Sequence, residues 1–318
     1  MTMDKVGFIG CRQAGIVARQ VLKMGNAELK IWQPDGDEEV DAEELPGELV
    51  ELEALAEIPL IVFSTGVDRC RKVARRLGDI ITGRHIVVHT VRGVEPGTLN
   101  TASRILHQET ATRRIGFVTG PMKLEDLQAE RPASAVCASH FPEVHDLVEE
   151  AMMSPRFRVY HSRDLIGAEL SAVYSRLIAL MSGLADGLEF GDSLQAMLFA
   201  RGLAEMARFV VARDGYERTA FGLSGAGNLH ADTLGGGSID FQMGHHLARA
   251  ADETPRDLVD AFGQRAQEVL DILTAFAEVN EQTSLELHFL EAAHAILHAQ
   301  IPPAEVVKSL MTLPALYE

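Results

Sequence analysis

The first half of the chain alternates short runs of apolar residues with stretches of helical periodicity. Apolar runs bounded by glycine, proline or polar residues predict buried β-strands, and the stretches between them predict helices. A chain that alternates in this way forms a parallel sheet covered by helices. The predicted strands are 5–10, 28–33, 59–66, 85–90 and 157–160, with predicted helices at 16–24 and 68–77.

The second half has helical periodicity only. Apolar residues recur at three- and four-residue spacings after Asp164, which is the pattern of one buried helical face. These residues are Leu170, Val173, Leu177, Leu180, Met181 and Leu184. The pattern predicts helices at about 166–187, 193–214, 255–279 and 284–299, with a short one after Pro302 and Pro303.

A glycine-rich turn follows the first strand. Strand, glycine turn, helix and strand in immediate succession are typical of the opening of a dinucleotide-binding βαβ unit. The predicted cofactor-binding residues here are Gly10, Cys11, Arg12, Gln13, Ala14 and Gly15. Arg12 replaces the middle glycine of the usual pattern. Its side chain could obstruct the approach of a pyrophosphate, in which case no dinucleotide binds, or its guanidinium could hold the phosphates.

The end of the second predicted strand indicates which nicotinamide cofactor is preferred. Gln33 occupies the position whose side chain contacts the adenosine ribose, and neither Arg nor Lys is adjacent to bind a 2′-phosphate. Asp35 would repel that phosphate, so the sequence favours NAD over NADP. Alternatively, Asp35 and Asp37 form only a solvated acidic turn. Ser64 and Gly66, at the end of the strand 59–66, complete the predicted cofactor-binding set.

Composition narrows the class of protein. The 318 residues, 47% hydrophobic and 24% charged, suffice for two ordinary globular domains. A formal net charge of -17 argues against nucleic acid as a partner. The sequence has no apolar run of membrane-spanning length and no signal-peptide layout, so we expect a cytoplasmic protein without a membrane partner. Three widely spaced cysteines predict reduced thiols.

The stretch from Asp164 to Met206 resembles the region with which NAD(P)-dependent glycerol-3-phosphate dehydrogenases begin their substrate domain. The matching residues are Ile166, Gly167, Glu169, Leu170, Gly183, Asp186, Gly187, Leu188, Gly191, Arg201, Gly202, Leu203, Glu205 and Met206. The resemblance implies a Rossmann-type doubly wound sheet in residues 1–162. It also implies an all-α domain in residues 163–318, similar to the C-terminal helical bundle of 6-phosphogluconate dehydrogenase. This second domain would bind substrate and form a homodimer.

The chain departs from the family pattern at the positions that would carry the chemistry. Ser175 stands in place of the catalytic lysine, and Arg176 replaces an asparagine. Ile239 and Asp240 replace the arginine and asparagine that hold the substrate phosphate. Arg92 takes the place of a functional lysine.

Other implied substrate positions are kept only in part. The remaining implied substrate-site residues are Gly120, Pro121, Asn228 (aspartate in the family) and Ser238. Lys123, Tyr174, Ser175 and His230 are possible proton donors, and Arg92 and Arg176 possible anion clamps. We therefore predict Ser175, Arg92, Lys123 and Arg176 as the catalytic group.

Two functions follow from the resemblance. The first is a divergent dehydrogenase that transfers hydride between a nicotinamide cofactor and a small keto or hydroxy substrate, for which Arg176 suggests an anionic compound. The second is a catalytically inactive dinucleotide-binding protein that acts as a sensor or scaffold. His294 and His298 are spaced i, i+4, but no third ligand accompanies them, so we predict no metal site.

Overall fold

A computed structural model describes residues 5–10, 18, 21–22, 28–34, 47–234, 237–249, 255–283, 285–298 and 301–310. The chain divides into two compact units. The first contains Met1–Glu95 and Asn100–Glu169, and the second contains Pro96–Leu99 and Leu170–Glu318.

The first unit is built on an eight-stranded sheet with the order β3-β2-β1-β4-β5-β6-β7-β8. The strands are β1 Lys5–Ile9, β2 Glu28–Trp32, β3 Glu48–Leu49, β4 Leu60–Phe63, β5 Ile86–His89, β6 Ile115–Thr119, β7 Ala133–Ala138 and β8 Phe157–Ser162. All neighbouring strands are parallel except β6 and β7, which are antiparallel. The predicted doubly wound sheet is confirmed.

Helices cover both faces of this sheet. They are α1 Val67–Gly78, α2 Ala102–Glu109, α3 Leu124–Gln128 and α4 Pro142–Met152, and a 3₁₀ turn spans Leu52–Glu57. Successive residues of β5 point to opposite faces. Val88 packs in the core that contains α4, whereas Val87 packs in the core that contains α1 and α2. Burial on both faces explains why the strands read as continuous apolar runs.

Two cysteines lie in these cores. Cys70 and Cys137 are buried free thiols, as the sequence predicts, and Cys11 lies outside the described residues. Burial raises the pKa of the Cys137 thiol to about 12, so the thiol stays protonated and unreactive at neutral pH.

The described part of the second unit is helical. Its helices are α5 Leu165–Gly187, which begins in the first unit, α6 Gly191–Val211, α7 Glu217–Ala220, α8 Asn228–Thr233, α9 Ile239–Arg249, α10 Pro255–Phe262, α11 Gln264–Thr283, α12 His288–Leu297 and α13 Pro303–Leu310. The expectation of one helix over 255–279 is wrong. Gly263 adopts φ +59° and ends α10, because the left-handed conformation cannot continue a right-handed helix.

Helix α5 begins where the sequence predicts. The Asp164 carboxylate accepts a hydrogen bond from the Gly167 N–H at 2.9 Å, which satisfies a donor that the first turn leaves open. Of the described helices, only α5 is long and apolar enough to cross a membrane by length and composition. However, 94% of that apolar window is buried inside the protein, as in a core helix.

Helices α5 and α9 approach each other closely in the second unit. A Cβ added at Gly183 of α5 would lie 1.9 Å from the Phe241 carbonyl oxygen, and one added at Gly244 of α9 would lie 1.8 Å from the Leu180 oxygen. Two helices can approach backbone to backbone only where side chains are absent. These glycines fix how the charged side chains of the two helices meet.

Candidate functional site

In the first unit, several predicted cofactor residues lie at the carboxyl edge of the sheet. Gly10, Gln33 and Ser64 directly follow the parallel strands β1, β2 and β4. Strand β1 is flanked by β2 on one side and by β4 on the other, so the strand order reverses direction at β1. In open α/β sheets, ligands bind at this switch point, outside the carboxyl ends of the strands.

The described backbone at the switch point has a left-handed glycine between two neighbouring strand ends. Gly10 adopts φ +88°, which favours glycine, and its N–H donates to the Trp32 oxygen at 3.1 Å. The Ser64 N–H donates to the Ile9 oxygen at 2.8 Å, so the two strand ends lie side by side. The other predicted turn residues, Cys11, Arg12, Gln13, Ala14 and Gly15, lie outside the described residues, as does Asp35.

Polar groups line the neighbouring strand ends. The Thr90 hydroxyl, which follows β5, donates to the Ser64 hydroxyl at 2.8 Å. Gly66 is the residue preceding α1, a helix of 12 residues, and the N-terminus of a helix favours an anion. These features fit a nicotinamide dinucleotide, which would supply the hydride in a redox reaction.

The other predicted residues of the first unit lie beyond the ends of β5 and β6. Arg92 lies three residues beyond β5 and is half-buried. Gly120, with φ +153°, and Pro121 directly follow β6. Lys123 precedes α3 and is half-buried. Because β5 and β6 are parallel, Arg92, Gly120 and Lys123 all follow carboxyl ends of strands at the same edge of the sheet.

In the second unit, Ser175 and Asn228 are buried. The Ser175 hydroxyl donates to the Ala172 carbonyl at 3.0 Å, one turn back in α5. The Asn228 amide, at the first residue of α8, donates to the Ser224 carbonyl at 3.0 Å. Ser238 and Ile239 are half-buried at the start of α9, where the Ser238 hydroxyl accepts a hydrogen bond from the Phe241 N–H at 3.3 Å.

The structure brings Arg176 and Asp240 together. The guanidinium forms two parallel bonds to the carboxylate, Nε to Oδ2 and Nη2 to Oδ1, each 3.0 Å long. Both side chains are fully buried. Although burial opposes the charged form, the carboxylates around it keep the pKa of Arg176 above its ordinary value. An expected anion clamp is therefore already bound to carboxylates of its own chain.

Two members of this cluster were missed by the sequence analysis. Glu268 accepts from Arg176 Nη1 at 3.3 Å, and Arg265 lies 3.4 Å from Glu268 and 3.6 Å from Asp240. The only sequence signal is the i, i+3 spacing of Arg265 and Glu268 on one face of α11. Nothing in the local sequence connects that pair with a residue on α5.

Tyr174 and Glu205 form a second buried network. The Tyr174 hydroxyl donates to Glu205 at 2.6 Å, and the same carboxylate accepts the Phe289 and Leu290 N–H groups at the start of α12. Burial is the main reason that the pKa values of Tyr174 and Glu205 are both raised. These contacts give Tyr174 a structural role, because its hydroxyl joins α5 to Glu205 of α6. His230, another possible proton donor, is exposed.

A missed cluster in the first unit contains a buried histidine. His89 Nε2, at the end of β5, lies 3.1 Å from Glu169 and 2.9 Å from the Ser103 hydroxyl. Glu169 also accepts from the Thr101 hydroxyl and the Ser103 N–H. Glu169 is thus held by Thr101 and by the first turn of α2, which fixes the first turns of α5.

A Rossmann-type sheet with Gly10 at its switch point, followed by a helical unit, is the arrangement found in the class of nicotinamide-dependent dehydrogenases. Two family profiles match the chain. NAD-dependent glycerol-3-phosphate dehydrogenase N-terminus matches residues 46–145, and NAD-dependent glycerol-3-phosphate dehydrogenase C-terminus matches residues 164–308.

Curated relatives agree with the profiles. A glycerol-3-phosphate dehydrogenase (NAD(P)+) of Desulfitobacterium hafniense is 30% identical over 257 residues, which are 81% of this chain and 72% of the relative. One of Fusobacterium nucleatum is 28% identical over 327 residues, covering 97% of both chains. The chain belongs to the NAD-dependent glycerol-3-phosphate dehydrogenase family. The predicted family is confirmed.

Solved structures share the fold. The glycerol-3-phosphate dehydrogenase of Coxiella burnetii superposes with a TM-score of 0.86 at 22% identity, covering 98% of this chain and 99% of that one. The Plasmodium falciparum glycerol-3-phosphate dehydrogenase gives a TM-score of 0.85 at 15% identity, with coverages of 99% and 96%. The predicted fold class is confirmed. Neither the relatives nor the structure favours the inactive alternative.

The remaining feature of the described residues is their set of possible metal ligands, which includes His294 and His298. Within the described ranges, no group of three or more His, Cys, Asp or Glu side chains could hold a metal ion. The rings of His294 and His298 lie 4.7 Å apart, and burial, followed by the charge of His294, lowers the pKa of His298.

Proposed function

We propose that this protein is an NAD(P)-dependent dehydrogenase that interconverts an alcohol and a carbonyl group of a small molecule. The observation that carries the proposal is the carboxyl edge of the sheet, where Gly10 with φ +88° lies beside Ser64 at the switch point. Membership of the glycerol-3-phosphate dehydrogenase family supports the same reaction class. The organisation would be a dinucleotide-binding domain in 1–162 and a substrate domain in 163–318.

The cofactor would lie across the carboxyl edge of the sheet. Gly10, with the turn residues 11–15, would hold the pyrophosphate, and Ser64 and Gly66 would contact the nicotinamide half. Gln33 would meet the adenosine ribose. No Arg or Lys occupies 33–35 to bind a 2′-phosphate, so we propose NAD as the preferred cofactor over NADP.

Ketone reduction requires a proton donor near the forming alkoxide. Among the predicted group of Ser175, Arg92, Lys123 and Arg176, we assign this role to Lys123. A lysine ammonium can release a proton, whereas a guanidinium does not deprotonate in proteins. The Ser175 hydroxyl is buried and donates to its own helix. Gly120 and Pro121 would shape the site at this edge of the sheet, and we keep Asn228, Ser238, Ile239 and Asp240 of the second unit as proposed substrate residues.

We further propose a cytoplasmic homodimer that binds a small-molecule substrate and has neither nucleic acid nor membrane as a partner. The exposed apolar side chains of the second unit support self-association through this part of the chain. Val211, Tyr216 and Phe221 are each about half exposed, at 51%, 52% and 51%. Light scattering combined with gel filtration tests the dimer, since a monomeric mass at micromolar concentration would contradict it.

Cofactor binding and turnover test the function separately. Isothermal titration with NAD and NADP should give saturable binding, with NAD the tighter ligand. Absence of binding by both would end the proposal. Once a substrate has been identified, Lys123→Ala should lower kcat by roughly 10²–10⁴-fold, the usual contribution of a positioned proton donor.

The control for the lysine variant is Lys72→Ala. Lys72 is exposed on α1, so its removal changes the net charge equally without touching the carboxyl edge of the sheet. Its kcat should match that of the natural protein. Equal kcat for Lys123→Ala and Lys72→Ala would remove Lys123 from the catalytic group.

A further inference from the structure

The connection between β5 and α2 begins with residues 90–95, which we call the Arg92 segment. It leaves the carboxyl edge of the sheet at Thr90, whose hydroxyl is hydrogen-bonded to a neighbouring strand end. Its last residue, Glu95, donates its N–H to the Asn100 oxygen at 2.9 Å, and the Asn100 amide donates back to the Glu95 carboxylate at 2.9 Å. Arg92 therefore lies between two residues that are held in place, Thr90 and Glu95.

Glu95 is also bound by an arginine of α1. Arg71 Nε donates to Glu95 Oε1, and Nη2 donates to Oε2 at 2.8 Å, which is the bidentate geometry of the strongest arginine–carboxylate pairs. Nη1 of the same guanidinium donates at 2.5 Å to Oε1 of Glu109, the last residue of α2. Arg71 thereby joins three parts of the first unit, which are α1, α2 and the Arg92 segment.

This group differs from an ordinary surface ion pair. The side chains of Arg71, Glu95 and Glu109 are 31%, 16% and 14% exposed. Exposed single pairs contribute little to stability, whereas bidentate pairs within a network are the exception. Hydrogen bonds from Arg75 and then from Arg71 hold the pKa of Glu109 below its ordinary value, so this carboxylate is charged at neutral pH. Without the guanidinium that they share, Glu95 and Glu109 would repel each other.

The Arg92 segment also packs against the first turn of α1. A Cβ added at Gly93 would lie 3.1 Å from two side-chain carbons of Val67, so the backbone of the segment is in close contact with that helix. The next residue, Val94, is fully buried. Apolar packing of this kind keeps the segment on α1 but is not directional. The bidentate bond from Arg71 adds the direction, because it fixes the carboxylate at the end of the segment.

We infer that Arg71 is a positioning residue for the proposed dehydrogenase reaction. By holding Glu95, it keeps Arg92 at the carboxyl edge of the sheet, where we propose that the cofactor lies. This inference rests on the proposed function, in which Arg92 belongs to the predicted catalytic group. Arg71 itself is not a catalytic residue, since its guanidinium is occupied by the carboxylates of Glu95 and Glu109.

Hydrogen exchange followed by mass spectrometry, on the full chain with NAD, tests whether Arg71 holds the segment. Arg71→Gln should raise the amide exchange rates of residues 90–95 by about tenfold or more, because a segment with fewer contacts opens more often. Arg75→Gln is the matched control. It removes the same charge and a bond to Glu109, and it leaves the Arg71–Glu95 pair in place. Equal exchange rates for the two variants would overturn the inference.

Steady-state kinetics test whether Arg71 acts through Arg92. With NAD and glycerol 3-phosphate as the probe, Arg71→Gln should lower kcat/KM by about tenfold or more. Arg71→Lys keeps the charge but loses the bidentate geometry, so it should recover part of this loss. In a chain that already carries Arg92→Gln, adding Arg71→Gln should cost nothing further. Additive losses would show a structural role unrelated to Arg92 and would overturn the inference.

Failure of the proposed function gives a different result. A natural protein that does not bind NAD in a calorimetric titration would end the proposed function. If the natural protein binds NAD but does not oxidise glycerol 3-phosphate, the exchange rates decide alone: raised rates at 90–95 support the inference and unchanged rates overturn it. If Arg71→Gln does not fold, Arg71→Lys takes its place in both experiments, with a smaller effect expected in the same direction.

Discussion

Arg176 is the residue on which the charge balance of the second unit depends. Its side chain is among the largest that are fully buried in the described residues, and its guanidinium is bound to Asp240 and Glu268. A buried ion pair need not add stability compared with apolar residues of the same size. Removing one partner, however, leaves the other charge buried and unpaired.

We expect Arg176→Ala to lower the free energy of unfolding by about 3–5 kcal/mol, the usual cost of leaving a buried charge without its partner. Urea unfolding followed by circular dichroism measures the change. Arg131→Ala is the control, because Arg131 is exposed and pairs with Asp126 at the surface. Equal midpoints for Arg176→Ala and the natural protein would show that the cluster contributes nothing to stability.

Tyr174 tests the difference between a structural and a catalytic hydroxyl. Tyr174→Phe removes the hydrogen bond to Glu205 and should cost about 1.5–3 kcal/mol of stability, since the acceptor is a buried carboxylate. The value of kcat should not change, because the hydroxyl is engaged by Glu205. Tyr160→Phe, on an exposed ring, should change neither quantity. A large fall in kcat at unchanged stability would make Tyr174 the proton donor.

At the scale of elements, the crossing of α5 and α9 depends on the absence of side chains. Gly183→Ala would place a methyl group 1.9 Å from the Phe241 oxygen, where only a shift of the backbone gives room. Overpacking of this kind costs about 1–3 kcal/mol or more. Gly83→Ala is the control, because its Cβ would meet only the Ala111 oxygen at 3.6 Å.

Thermal unfolding of the two glycine variants gives the readout. Only Gly183→Ala should lower the melting temperature. A double-mutant cycle on Arg176 and Asp240 should give a smaller interaction energy in the Gly183→Ala protein than in the natural protein. If both variants have the melting temperature of the natural protein, α5 and α9 have room to separate, and the position of the Arg176–Asp240 pair is not fixed by the glycines.

The element predictions succeed and fail for identifiable reasons. Apolar runs and helical periodicity are local signals, and they predict the starts of β1 and α5 to within about one residue. The break at Gly263 is also local in cause, but its surroundings continue a helical pattern on both sides. A glycine within such a pattern is tolerated or ends the helix according to packing that the sequence does not display.

At the scale of the whole molecule, acid pH should lower stability through His145. This histidine is stacked on His161, and its Nε2–H donates to the Ser162 carbonyl at 3.0 Å. Burial, followed by the charge of His161, lowers the pKa of His145 below its ordinary value. The unfolded chain thus binds a proton at higher pH than the folded chain does.

Stability should therefore fall as pH drops below about 6.5, the value for an exposed histidine, towards the lower pKa of the folded state. Urea midpoints between about pH 5 and pH 8 measure this slope. His145→Gln should flatten it, since a glutamine can donate to Ser162 without titrating. His140→Gln, at an exposed position, should leave the slope as it is, and equal slopes for both variants would contradict the assignment.

The sequence by itself determined the class of fold, the glycine turn and the family. Each depends on local periodicity or on residue types at fixed spacing, which the chain carries wherever it folds. The tertiary structure decided which charges meet. Arg176, Asp240 and Glu268 are far apart in sequence, and only the packing of α5, α9 and α11 places them within hydrogen-bonding distance. Electrostatic interaction depends on separation and burial in space, which residue order does not encode.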